Sequence, residues 1–92
     1  MIQLETRHRT IIKDILARYP YQFYAFGSRV NGTAQPVSDL DLCYKGDIPL
    51  SDLGNLQEEF EESDLPFKVD LVAFDQCSQE FKKLIEKDLV AF

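Results

Sequence analysis

Asp39 and Asp41, in the segment SDLDLCY at residues 38–44, are the side chains of this 92-residue chain best suited to do chemistry. In an extended segment, residues i and i+2 point to the same side, so both carboxylates project together while Leu40 and Leu42 enter the core. Two like charges about 6–7 Å apart on one face repel, and burying them is costly unless something compensates. Asp70 repeats the situation between Val69 and Leu71 in the apolar run KVDLVAF. If the two segments are neighbouring strands, all three carboxylates can converge on one spot. Hard divalent cations such as Mg²⁺ relieve such repulsion, because they prefer carboxylate and phosphate oxygens. Each aspartate has a purely structural alternative: Asp39 in a turn, Asp41 on an exposed strand face, Asp70 paired with Lys68. The coincidence of the three favours a metal site.

Gly27 and Ser28 supply a second kind of chemistry. A strand ending at Gly27 and turning at Ser28 leaves backbone N–H groups and a hydroxyl free to meet phosphate oxygens. Glycine lets a phosphate approach the main chain where a Cβ would intrude. Arg29 lies next in sequence and can add a charge-assisted contact. Asn31-Gly32 is also a hairpin signal, which would reduce Gly27 and Ser28 to ordinary strand residues. Pro36 argues against that alternative, since it would interrupt the returning strand. The preferred reading is a short helical turn after Ser28.

The elements that must position these residues follow from periodicity. Leu4, Ile11, Ile12, Ile15, Leu16 and Tyr19 recur at helical spacing until Pro20. The aromatic run QFYAF at 22–26 predicts a buried strand, and DLDLCY at 39–44 alternates as a second. Leu50, Leu53, Leu56 and Phe60 form one stripe of a helix. KVDLVAF at 68–74 predicts the third strand, and Asp75 is placed to cap a last helix with Cys77, Phe81, Leu84 and Ile85 on its inner face. Strands alternating with helices predict an α/β (α+β) domain, a sheet of three or four strands flanked by helices. The link at 29–38 is short for a parallel crossover, so the first two strands are expected to be antiparallel and the sheet mixed.

Length and composition bound the rest. The chain, residues 1–92, makes one domain. Its 45% apolar content fits a globular core, and no apolar run approaches the roughly 18 residues of a membrane span. The N-terminus lacks a cleavage site, so cytoplasm is the default location. Cys43 and Cys77 have no metal-ligand spacing and are expected to be free thiols in a reducing compartment, and without export the Asn-Gly-Thr sequence at Asn31 is incidental. A net charge of −6 equips the chain poorly to hold a polynucleotide, so positive charge for handling phosphate must come from elsewhere. His8 sits by the apolar stripe of the first helix and is assigned a structural role, as are Tyr21 and Tyr24. The acidic EEFEESD segment is expected to be a solvated face.

Gly27-Ser28, the intervening Gly32 and Ala34, Ser38-Asp39-Leu40-Asp41 and the later Asp70 resemble the signature of the nucleotidyltransferase superfamily related to DNA polymerase β. The short length makes the likeness strongest to the minimal nucleotidyltransferases (MNT) that partner HEPN proteins in toxin–antitoxin pairs. The resemblance implies a nucleotidyltransferase fold with a mixed sheet, a site for two Mg²⁺ ions, and transfer of AMP from ATP to an acceptor. That acceptor would be a tyrosine of a HEPN-type toxin, which would make this chain an antitoxin. By the same resemblance Gly27 and Ser28 would bind the NTP phosphates, Asp39 and Asp41 would ligate both metals, and Asp70 would complete the catalytic metal site. Val30 and Asn31 stand where Ala and a basic residue are common. The metals would then provide the positive charge that the protein lacks. The alternative, from a different class, is a non-catalytic subunit that neutralises its partner by covering it.

Overall fold

Pro20 ends the first apolar helical stripe, and the aromatic and β-branched runs that follow can only be buried by pairing. The computed structural model, which describes residues 2–92, shows how they do so. The helix α1 (Thr6–Leu16) leads into strand β1 (Phe23–Phe26), a single helical turn α2 (Ser28–Asn31) and strand β2 (Leu40–Tyr44). Then come helix α3 (Leu50–Glu62), strand β3 (Val69–Ala73), a 3-10 turn at Phe74–Gln76, helix α4 (Gln79–Glu86) and a short strand β4 (Val90–Ala91).

The four strands form one mixed sheet in the order β3-β2-β1-β4. β1 runs antiparallel to both β2 and β4, while β2 and β3 are parallel. The expected antiparallel first pair and mixed sheet are therefore present. The parallel pair has the whole of α3 for its crossover, as parallel connections require.

Alternation along the strands sorts the two faces. Phe23, Ala25, Leu40, Leu42 and Val69 pack with Ile12, Ile15 and Leu16 of α1 and with Leu56 and Phe60 of α3 in the larger core. The opposite face carries a smaller cluster of Phe26, Cys43, Phe74 and Ile85, with Tyr24 and Val72 against it. Asp41 and Asp70 share the parity of Cys43 and Val72, so they project on this second face, at the end where β1 finishes.

Three sequence expectations need correction. Asp75 does not cap α4: its Oδ2 accepts the Gly46 N–H at 2.8 Å, and Ser78 caps the helix by accepting the Phe81 N–H at 3.1 Å. Only Ile85 of α4 is buried, whereas Leu84 is 66% exposed. The last helix covers only the small cluster of Phe26, Cys43 and Phe74, so a single buried side chain suffices. Leu50, the first residue of α3, is likewise off its buried stripe, at 86% exposure.

Candidate active site

β1 runs out at Phe26, and the chain must turn before it meets the start of β2. Gly27 makes that turn with φ 83° and ψ −154°, a region essentially reserved for glycine. Phe26 is the register partner of Asp41, and a Cβ on Gly27 would collide with Oδ2 of Asp41. The glycine is thus required both by the turn and by the close approach of a carboxylate.

Ser28 then opens α2. The first amides of a helical turn have no acceptor within it. Here the N–H groups of Val30 and Asn31 already donate to the Gly27 carbonyl, both at 3.0 Å, which leaves those of Ser28 and Arg29 at the open end. Gly32 closes the turn in the left-handed conformation, φ 80°, as helix C-termini often do. The Asn31-Gly32 pair therefore ends a helical turn and makes no hairpin.

β2 begins at Leu40, one residue later than its alternation suggests. Asp39 accordingly lies in the segment leading into the strand, and Asp41 lies within it. In the parallel pair the Cα of Asp41 stands opposite that of Asp70. Main-chain registration therefore gathers the three residues in one corner of the sheet, beside Gly27. Asp39 and Asp70 are solvent-exposed and Asp41 is half-buried. Burial, and then the charges of Asp70 and Asp39, push the Asp41 carboxyl above its ordinary pKa.

Among the described residues no basic side chain forms an ion pair with Asp39, Asp41 or Asp70. The ion pairs among the described residues are Arg7–Glu5, His8–Glu5 and Arg18–Glu59, so Asp70 is not paired with Lys68. Nor do the carboxylates close on one another: among the described residues no three His, Cys, Asp or Glu side chains stand within reach of one cation. The donor set still suits a hard divalent cation. It is made wholly of carboxylate oxygens, with Asp41 held against the bare main chain of Gly27 under the field of its two neighbours.

Arg29 occupies a different place from the phosphate contact expected of it. It is only 5% exposed, and its guanidinium lies 4.1 Å over the Phe67 ring. Its N–H groups donate to the carbonyls of Ser38, Pro36 and Gln3 at 2.8–3.1 Å. The side chain is spent on the backbone that leads into Asp39. Gln3 had no signal in the sequence, yet its side chain donates to the Ala34 carbonyl at 3.0 Å and its amide to that of Arg29.

The surroundings complete the corner. Phe81 meets Phe26 edge-on at 6.0 Å between ring centroids, forming an aromatic wall on the side of Asp41. A groove of about 390 Å³ reaches Asp70 from between α3 and β3, lined by Gln57, Phe60, Leu65 and Phe67 among others. His8 is buried edge-on against Phe67 at 5.6 Å, in the structural role expected of it. Cys43 is buried two residues beyond Asp41, and burial raises its thiol pKa, which makes it unreactive.

The corner thus combines a small mixed sheet, a Gly-Ser turn at the end of β1, and aspartates on or just before the two neighbouring strands β2 and β3. The chain belongs to the Polymerase beta, Nucleotidyltransferase family, whose sequence profile matches residues 10–90. It is similar to the "Probable protein adenylyltransferase MntA" of Haemophilus influenzae, 40% identical over 90 residues that span 94% of this chain and 79% of that one. In three dimensions it resembles a Sulfolobus solfataricus protein whose crystal structure carries the class name nucleotidyltransferase. There the TM-score is 0.50 at 22% identity, over 92% of this chain and 75% of the other, a likeness of fold. The protein is a nucleotidyltransferase, and membership of the family implies an NTP substrate and a divalent metal. Among the described residues no helix is long and apolar enough to cross a membrane.

Proposed function

We propose that this protein transfers AMP from ATP to a tyrosine hydroxyl of a HEPN-type partner and so acts as its antitoxin. The observation that carries this reading is the register of Asp41 with Asp70, two residues from Asp39 and beside the Gly27-Ser28 turn. The likeness to a protein adenylyltransferase supports a protein acceptor, and the net charge of −6 disfavours a polynucleotide one.

In this reading Asp39 and Asp41 hold two Mg²⁺ ions with help from Asp70. When bound, the metals supply Lewis-acid stabilisation of charge on the phosphate and leaving oxygens. The Ser28 hydroxyl and the open amides of α2 grip the β- and γ-phosphates. The acceptor hydroxyl comes to Asp70 at the open β3 edge of the sheet. Asp70 takes the phenolic proton as the oxygen attacks the α-phosphorus. A new P–O bond forms, the bond to the β-phosphate oxygen breaks, and pyrophosphate leaves.

The test is incubation of the protein and its partner with ATP labelled at the α-phosphate. Label should move to the partner in Mg²⁺ and stay on ATP in EDTA. Asp39→Asn combined with Asp41→Asn should remove transfer while circular dichroism stays that of wild type. If that variant still silences the partner fully, the protein neutralises it by contact and the catalytic reading is lost.

A further inference from the structure

Asp39 stands outside the strand, exposed, one residue before β2 begins. Its main chain is held on both flanks. On one side the Leu40 N–H donates to the Lys68 carbonyl of the β3 approach at 2.9 Å. On the other, the Ser38 carbonyl accepts both Nε and an Nη of Arg29, at 3.0 and 2.8 Å. The same guanidinium takes the Pro36 carbonyl at 3.1 Å, and the turn between them is closed by the Gln35 N–H on Ser38 Oγ at 2.8 Å. Gln3 braces the far end, accepting from Arg29 at 2.8 Å and donating to the Ala34 carbonyl.

We infer that Arg29 is a positioning residue: its buried fork fixes segment 36–39 and thereby sets where the Asp39 carboxylate stands relative to Asp41. Arg29 also follows Ser28 in α2, so one side chain ties the Gly27-Ser28 turn to the aspartates. Its charge and that of Asp39 attract each other, and the positive charge is kept despite burial that works against it. The fork makes four bonds to three carbonyls from three nitrogens spread over one plane, whereas an ammonium of equal charge offers three donors on a single nitrogen and cannot span them. The ring of Phe67 under the guanidinium fixes the plane of that fork.

The inference rests on the metal reading proposed above only for its consequence, and the experiment separates the two. Amide hydrogen exchange of metal-free protein reads the segment directly, and Mn²⁺ titration followed by electron paramagnetic resonance reads the consequence. Arg29→Lys keeps the charge and loses the fork. Amides of residues 34–39 should exchange faster in this variant, with α1 and the sheet unchanged. Its Mn²⁺ affinity should fall by about 10- to 100-fold, as when groups orienting metal ligands are lost. KM for ATP at saturating Mg²⁺ should stay as in wild type, and kcat should drop. Ser38→Ala leaves the buried arginine untouched and loosens the same turn, with a weakening on the order of threefold. It decides the matter should Arg29→Lys fail to fold. Wild-type exchange at 34–39 in the variant that folds would overturn the inference, and so would a change confined to KM for ATP, which would mark a phosphate contact. Absence of Mn²⁺ uptake by wild type would refute the metal reading, leaving amide exchange to decide the clamp.

Discussion

Asp41 carries the electrostatic tension of the molecule. Its side chain is half-buried, flanked by two other carboxylates, and pressed against the main chain at Gly27. The folded state raises its pKa above the unfolded value, so between the two values the native protein holds more protons than the unfolded one. Stability from this group therefore falls as pH rises through that window, and at neutral pH its charge opposes folding. Asp41→Asn should raise the melting temperature of the metal-free protein at pH 7, and the gain should vanish near pH 4 (about the unperturbed carboxyl value). Thermal unfolding of both proteins in EDTA at the two pH values checks this; a variant less stable than wild type at pH 7 would contradict it. Gly27→Ala should destabilise by about 1–3 kcal/mol in urea titrations, because alanine at that φ and ψ is strained and its Cβ meets the carboxylate. Asp39 falls just before the strand to which the period-two spacing assigned it, whereas the Gly-Ser turn and the placing of Asp41 and Asp70 on neighbouring strands were legible in the sequence from residue type and apolar context. The true place of Arg29 was not, because nothing in linear order says that residues 3, 36 and 38 fold around it.

At the scale of elements, the molecule is two unequal layers of helix on one sheet. Leu56 is fully buried between α3 and the sheet, whereas Leu84 of α4 is 66% exposed. Leu56→Ala should cost about 2–5 kcal/mol, the range for a buried leucine, while Leu84→Ser should stay within about 0.5 kcal/mol. Urea unfolding followed by circular dichroism measures both. An equal cost at the two sites would mean that α4 covers more than the small cluster around Phe26 and Cys43. Helices α1 and α3 and strands β1 to β3 could be read from apolar periodicity, since each buries a regular stripe or face. The start of α4 was misplaced by a few residues because Asp75 and Ser78 are both good capping types, and only the folded contact with Gly46 separates them. β4 has two residues and no alternation to detect; it exists because β1 offers an open edge.

For the whole molecule, charge is the governing fact. A protein of net charge −6 and a polyphosphate repel each other, and the corner where they should meet gathers three of its carboxylates beside a guanidinium committed to the backbone. The central claim is that a divalent cation must join the two. Calorimetric titration of ATP into wild-type protein, in Mg²⁺ and then in EDTA, tests it directly. The account predicts saturable binding in Mg²⁺, none in EDTA, and none for Asp41→Asn in either. Equal binding of ATP with and without the metal, or undiminished binding by Asp41→Asn, would contradict it.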